Sequence, residues 1–170
     1  LPVRPYIGFP KTLNAIDIAN GVFEANGISL PLENAGTVDA TDPSAREQAG
    51  AAIQAPLYGN EVKEVFSALP KPFDEFVPHL LTSSAFGDFA TRGGLDVAQR
   101  ELISLVAIAA IGATTQLRPH VAGAIRAGSS RQKVAAALVQ VMPYIGGPYA
   151  LSGLVLVARY DENSSSEAYR

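Results

Sequence analysis

Gln99-Arg100-Glu101-Leu102-Ile103-Ser104-Leu105-Val106-Ala107-Ile108-Ala109-Ala110-Ile111-Gly112 is the stretch that decides the fold. Beyond Glu101 it is apolar nearly all round, the mark of a helix at the centre of a core. β-Branched residues among the alanines keep a buried strand as the competing reading, but the length favours helix. Asp96 stands where an N-cap belongs and Gly112 where the helix stops, so a helix is expected over residues 97–111. Further helices are expected over 116–127, closed by Gly128, and over 131–141, capped by Ser129 or Ser130. After a turn at 142–148, a last helix covers 149–159.

Upstream, Pro2, Pro5 and Pro10 predict an extended or turn segment over residues 1–10. Apolar residues at three-to-four spacing predict a helix over 12–26. Residues 28–44, rich in Pro, Gly, Asn, Asp and Thr, form a linker or long loop. Asp42-Pro43 opens a helix over 45–55, residues 58–60 are a turn, and a short helix follows over 61–69. Residues 73–86 make one irregular helix or two short ones.

At 170 residues the chain can bury a sizeable core. Its net charge of -3 and absence of a basic block predict no nucleic-acid partner. Leu102 to Ala113 is about a dozen residues, short of the roughly 20 a membrane span needs, so no membrane partner is expected. No signal-peptide pattern opens the sequence, and a cytoplasmic location is the expectation. The chain has no cysteine, which excludes disulfides, thiolate metal sites and thiol nucleophiles. With two histidines, His79 and His120, and no carboxylate pair at ligand spacing, no metal site is expected.

The chain also echoes itself. Pro5-Tyr6-Ile7-Gly8-Phe9-Pro10-Lys11-Thr12-Leu13 matches Pro143-Tyr144-Ile145-Gly146-Gly147-Pro148-Tyr149-Ala150-Leu151 as Pro-Tyr-Ile-Gly-x-Pro-x-x-Leu, and each copy leads into an apolar-periodic helix. Two origins fit: a permuted single domain with a duplicated end, or the tail of an earlier repeat. The second is the expectation taken here. It divides the chain into residues 1–27 from that repeat, a linker at 28–44, a domain at 45–161 and a flexible tail at 162–170.

Several residues are candidates for chemistry. His120, near a helix start, suits proton transfer, against the alternative of a buried structural histidine. Gln116 lies one turn earlier on the same face and would orient the imidazole or a substrate carbonyl. Arg92 would grip a carboxylate in bidentate fashion, against a structural ion pair. Glu101 would face the core and meet His120 or an arginine. Tyr144 would point its hydroxyl at the same pocket, against a core aromatic.

Arg100-Glu101-Leu102, His120, Gly128-Ser129, Tyr144-x-Gly-x-Pro148 and the upstream Arg92-x-Gly-Leu95 occur in an order and spacing that resemble the carboxymuconolactone decarboxylase-like family, which includes the alkylhydroperoxidase D-type proteins. The resemblance covers roughly residues 46–160, and residues 4–26 match the family's end a second time. It implies an all-α bundle around an antiparallel helical hairpin. It implies a homo-oligomer, trimer or hexamer, with sites near subunit contacts.

Two departures shape the functional expectation. The peroxidase branch carries Glu-x-x-Cys-x-x-Cys-x-x-His, but here Ile111, Thr114 and Leu117 precede His120, so thiol peroxidase chemistry is excluded. The decarboxylase branch resembles Glu-Leu-x-x-His, and here Gln116-Leu117-Arg118-Pro119-His120 has an amide in place of the carboxylate. The resemblance implies a cofactor-independent decarboxylase or lyase acting on a small carboxylated lactone or related organic acid. His120 would be the acid/base, Arg92 or Arg100 would hold the carboxylate, and Gln116, Glu101 and Tyr144 would line the site. The alternative is a catalytically silent member, an oligomeric binding or scaffold protein.

Overall fold

The computed structural model describes residues 2–33, 36–39 and 41–161. Among the described residues there are helices and no strand. The apolar stretch is helix α5, Val97–Ala110, and the strand alternative falls. A reciprocal capping box starts it: the Asp96 carboxylate accepts from the Gln99 N–H at 2.7 Å, and the Gln99 side-chain oxygen accepts from the Asp96 N–H at 3.0 Å. Residues 111–113 turn the chain into α6, Thr114–Arg126. The Ser130 hydroxyl caps α7, Arg131–Ile145, and α8 follows as Gly147–Arg159. Leu105, Ile108, Leu117, Val121, Val134, Leu138 and Val157 from these four helices form one core cluster. Each such buried aliphatic contributes about 1.5–3 kcal/mol over an exposed one.

A second layer comes from earlier in the chain. Helix α2, Pro43–Tyr58, is capped by Asp42, whose side chain accepts from the Ser44 and Ala45 N–H groups. Helix α3 is Glu61–Phe66. Helix α4, Phe73–Leu80, runs on directly into a π-helical segment, Leu81–Ala90. This segment lies against α2 at backbone distance. A Cβ on Gly50 would overlap the Thr82 carbonyl, and one on Gly87 the Arg46 carbonyl. Arg46 then clamps the pair with two 2.6 Å bonds to the Asp88 carboxylate.

Helix α1, Arg4–Ala25, begins earlier than expected, because Pro5 is compatible with a first helical turn. It breaks at Gly8, whose φ of 74° favours glycine. The same break recurs at Gly146, φ 90°, between α7 and α8. The sequence echo is thus a backbone echo. The expected turn at 142–148 contracts to this one residue, and α7 continues through Pro143. Beyond Gly8, α1 presents Phe9, Leu13, Ile18 and Val22 to solvent. Within the loop at 28–44, Thr37 bonds the Thr91 carbonyl at 2.5 Å. The expected tail at 162–170 lies outside the described residues. Among the described residues, no helix is long and apolar enough to cross a membrane.

Candidate active site

Three side chains from three helices converge at the end of α2. Glu101 sits just past the first turn of α5, Tyr58 is the last residue of α2, and His120 lies midway along α6. Tyr58 and Glu101 are buried, and the His120 side chain is 13% exposed. The Tyr58 hydroxyl donates a short hydrogen bond to Glu101 Oε2. Its oxygen lies 2.9 Å from His120 Nδ1, which is 3.4 Å from the same carboxylate oxygen. A hydroxyl has one proton. Since Tyr58 gives it to Glu101, its oxygen accepts from Nδ1–H, and Nε2 is the nitrogen left for chemistry.

Aromatic packing fixes the imidazole. Tyr6 meets it edge-on at 5.6 Å and Tyr58 at 5.4 Å between ring centroids. Phe86 in turn packs on Tyr58 at 5.8 Å. Gly123, one turn after His120, makes the room. A Cβ there would lie 2.6 Å from the Tyr58 hydroxyl and 2.9 Å from Glu101 Oε2.

The imidazole borders a cavity of about 360 Å³. Its polar lining is Tyr6, Gln54, Tyr58, Gln116 and His120, and Phe66, Leu81 and Ile108 contribute to the apolar wall. Among the described residues, no lysine, arginine, aspartate or glutamate lines it. The space suits a small organic molecule. Among the described residues no group of three or more His, Asp or Glu is placed to hold a metal ion.

The structure brings His120 and Gln116 together at this cavity and sets Glu101 behind the imidazole. It places Arg100, Arg92 and Tyr144 elsewhere. The Arg100 guanidinium is turned into the loop before α5, where it donates to the carbonyls of Phe89 (3.1 Å), Gly93 (3.0 Å), Leu95 (3.1 Å) and Arg92. Burial lowers its pKa, the Arg92 charge acts in the same direction, and Asp96 opposes both. Arg92 contributes its carbonyl to this clamp, and its side chain is absent from the cavity lining. Tyr144 is 82% exposed and borders a separate apolar groove beside α5 and α7. His79 pairs with Glu47 at 3.2 Å beside another pocket.

Sequence reasoning missed Tyr58, Tyr6, Gln54 and Gly123. Tyr58 was read as turn, because a helix's last residue carries no periodic signal. The echo could have flagged Tyr6, since it pairs that residue with the candidate Tyr144.

Residues 77–159 match the Carboxymuconolactone decarboxylase family. The chain is also 27% identical over 110 residues to the nitrosuccinic acid decarboxylase of Metarhizium robertsii, covering 65% of this chain and 77% of that protein.

Proposed function

We propose, with the membership of residues 77–159 in the carboxymuconolactone decarboxylase family as premise, that the protein is a cofactor-independent decarboxylase of a small organic acid and that His120 is its proton donor. The observation that carries this reading is the hydrogen bond between His120 Nδ1 and Tyr58, which leaves Nε2 beside a cavity without a fixed charge. Apart from the imidazole itself, whose charge Glu101 offsets, the described lining offers a carboxylate no counter-ion. It favours the transition state, in which the charge spreads away from the carboxylate, over the ground state. The bond from carbon to the carboxylate breaks, carbon dioxide leaves, and the electron pair passes into an adjacent electron-withdrawing group. His120, protonated at both nitrogens, then gives its Nε2 proton to that carbon. Glu101, through Tyr58 and its own 3.4 Å approach, offsets the charge on the ring. Gln116 at the rim orients the substrate.

The substrate class is a carboxylated lactone or a related acid activated next to its carboxylate. The relative's action on nitrosuccinic acid supports this class. The exposed apolar face of α1 and the apolar groove beside α5 and α7 support a homo-oligomer. A binding protein without turnover is the second reading, favoured by the amide at Gln116 where the decarboxylase branch has a carboxylate.

Carbon dioxide release from a panel of nitro, keto and lactone acids tests the proposal. Wild type should turn over at least one of them. His120→Ala, with its melting temperature kept, should lose roughly 100-fold or more in kcat. Undiminished turnover in that variant removes His120 from the mechanism. Ligand binding without carbon dioxide release favours the second reading.

A further inference from the structure

We propose that the Gln54 carboxamide receives the negative charge that leaves the breaking bond, so that the site selects acids activated by a neutral oxygen acceptor, a nitro or carbonyl group. The inference rests on the decarboxylase reading above and names the group that makes the reaction possible there.

Gln54 lies on α2 one turn before Tyr58, so the two side chains share a face. It is only 7% exposed, yet it lines the His120 cavity. A buried carboxamide needs partners. Its oxygen has one, the Thr82 hydroxyl at 2.6 Å. Thr82 belongs to the π-helical segment, and its hydroxyl is also 3.0 Å from the Pro78 carbonyl. The close backbone approach at Gly50 locks α2 to that same residue. The amide oxygen is held on the Thr82 side, where Gln54 also borders a neighbouring pocket, and in this proposal the amide nitrogen with its two N–H donors serves the His120 cavity.

Two donors around the imidazole are committed. Tyr58 gives its proton to Glu101, and His120 Nδ1–H goes to Tyr58. Gln116 is exposed at the rim. Tyr6 is half-buried on the same lining, whereas Gln54 is the buried carboxamide anchored through its own oxygen, and among the described residues no lysine or arginine lines the cavity. A preorganised neutral donor gains most when negative charge arrives on its acceptor, which is the condition for transition-state rather than ground-state stabilisation. In the step itself, the carbon–carboxylate bond breaks and carbon dioxide departs. The bonding pair becomes a nitronate or enolate whose oxygen accepts from Gln54, and the Nε2 proton of His120 restores the C–H bond. Thr82 is a positioning residue, because it acts through Gln54.

The reverse of the last step gives a test that needs no decarboxylation. 3-Nitropropanoate is what remains when nitrosuccinic acid loses the carboxyl next to its nitro group. The full chain should accelerate exchange of the hydrogens beside that nitro group for deuterium in D2O, followed by proton NMR. Gln54→Leu should slow the exchange roughly 100-fold while changing the Kd for 3-nitropropanoate less than about 3-fold. Thr82→Val should give an intermediate loss, and Gln54→Glu should also fail because a carboxylate repels the nitronate. These losses, at unchanged melting temperature, support the inference. No exchange by wild type, or full exchange by a folded Gln54→Leu or Gln54→Glu variant, overturns it. If exchange is catalysed but no acid loses carbon dioxide, the decarboxylase reading fails and the role of Gln54 stands. If Gln54→Leu decarboxylates as wild type does, the reading stands and the role of Gln54 falls.

Discussion

Arg100 and Glu101 are neighbours near the start of one helix, both charged and both buried, and they serve different regions. Adjacent helical positions diverge by about 100°. The Arg100 side of α5 meets the preceding loop and the end of the π-helical segment, and donates to three carbonyls of the one and one of the other. The Glu101 side meets α2 and α6 and holds Tyr58 and His120. The same kind of buried charge holds backbone atoms on one side and titratable side chains beside a cavity on the other, and the proposed chemistry belongs to the second.

Substitutions can break this contrast by separating stability from turnover. The largest effect is expected on the structural side. Arg100→Leu removes the donor shared by the Phe89, Arg92, Gly93 and Leu95 carbonyls and should cost about 2–4 kcal/mol by denaturant titration. Activity per folded molecule should stay within a few-fold, and a large loss in kcat at moderate destabilisation would erase the distinction. Next comes Gly123→Ala, on the chemical side. Its methyl would intrude on the Tyr58–Glu101 bond. It should lower kcat roughly 100-fold and stability by about 1–3 kcal/mol, measured by steady-state kinetics beside thermal melting.

A finer cut is Tyr58→Phe, which keeps the ring packing and deletes the hydroxyl between Glu101 and His120. Turnover should fall about 10- to 30-fold at unchanged melting temperature, since the imidazole loses the partner that orients it. Unchanged turnover would show that the hydroxyl only fills space.

The smallest effect sets Glu101 against another carboxylate, Glu61. Glu61 Oε2 is buried without a hydrogen-bond partner, and Arg126 stands 4.0 Å from its other oxygen. Burial raises its pKa above the ordinary carboxylate value, the Arg126 charge opposes this, and Glu64 adds to the rise. A raised carboxylate pKa means that folding favours the protonated form. Stability is fullest below the unfolded value and falls as pH rises through the folded one. Glu61→Gln should therefore gain up to about 1 kcal/mol at neutral pH and nothing in acid, read from melting temperatures across that range. An equal gain at both ends would place its cause outside titration.

Much of the bundle was legible because it rests on local rules. The Asp96 cap, the Gly112 stop, the Ser130 cap and the apolar centre of α5 each depend on a few consecutive residues. The kinked start of α1 and the run of α7 through Pro143 were not, since proline permits both a first helical turn and a chain break. That His120 and Gln116 share one helix face was legible from their spacing. Tyr58 and Gln54 were not, because their meaning comes from α2 approaching the π-helical segment and α6 at glycines. That closeness is a property of three helices and not of any window of sequence. Tyr144 and Tyr6 carry the same local motif, yet only Tyr6 reaches the imidazole, because motif identity does not fix what lies opposite.

Nitrogen NMR of the His120 ring tests the site most directly, using the full chain with selectively labelled histidine and a His79→Ala variant to assign the signals. In the neutral ring the proton should reside on Nδ1, bonded to Tyr58, and that preference should vanish in Tyr58→Phe. A proton on Nε2 in the neutral wild-type ring, indifferent to Tyr58, would contradict the account, because Tyr58 would then not set the nitrogen that faces the cavity.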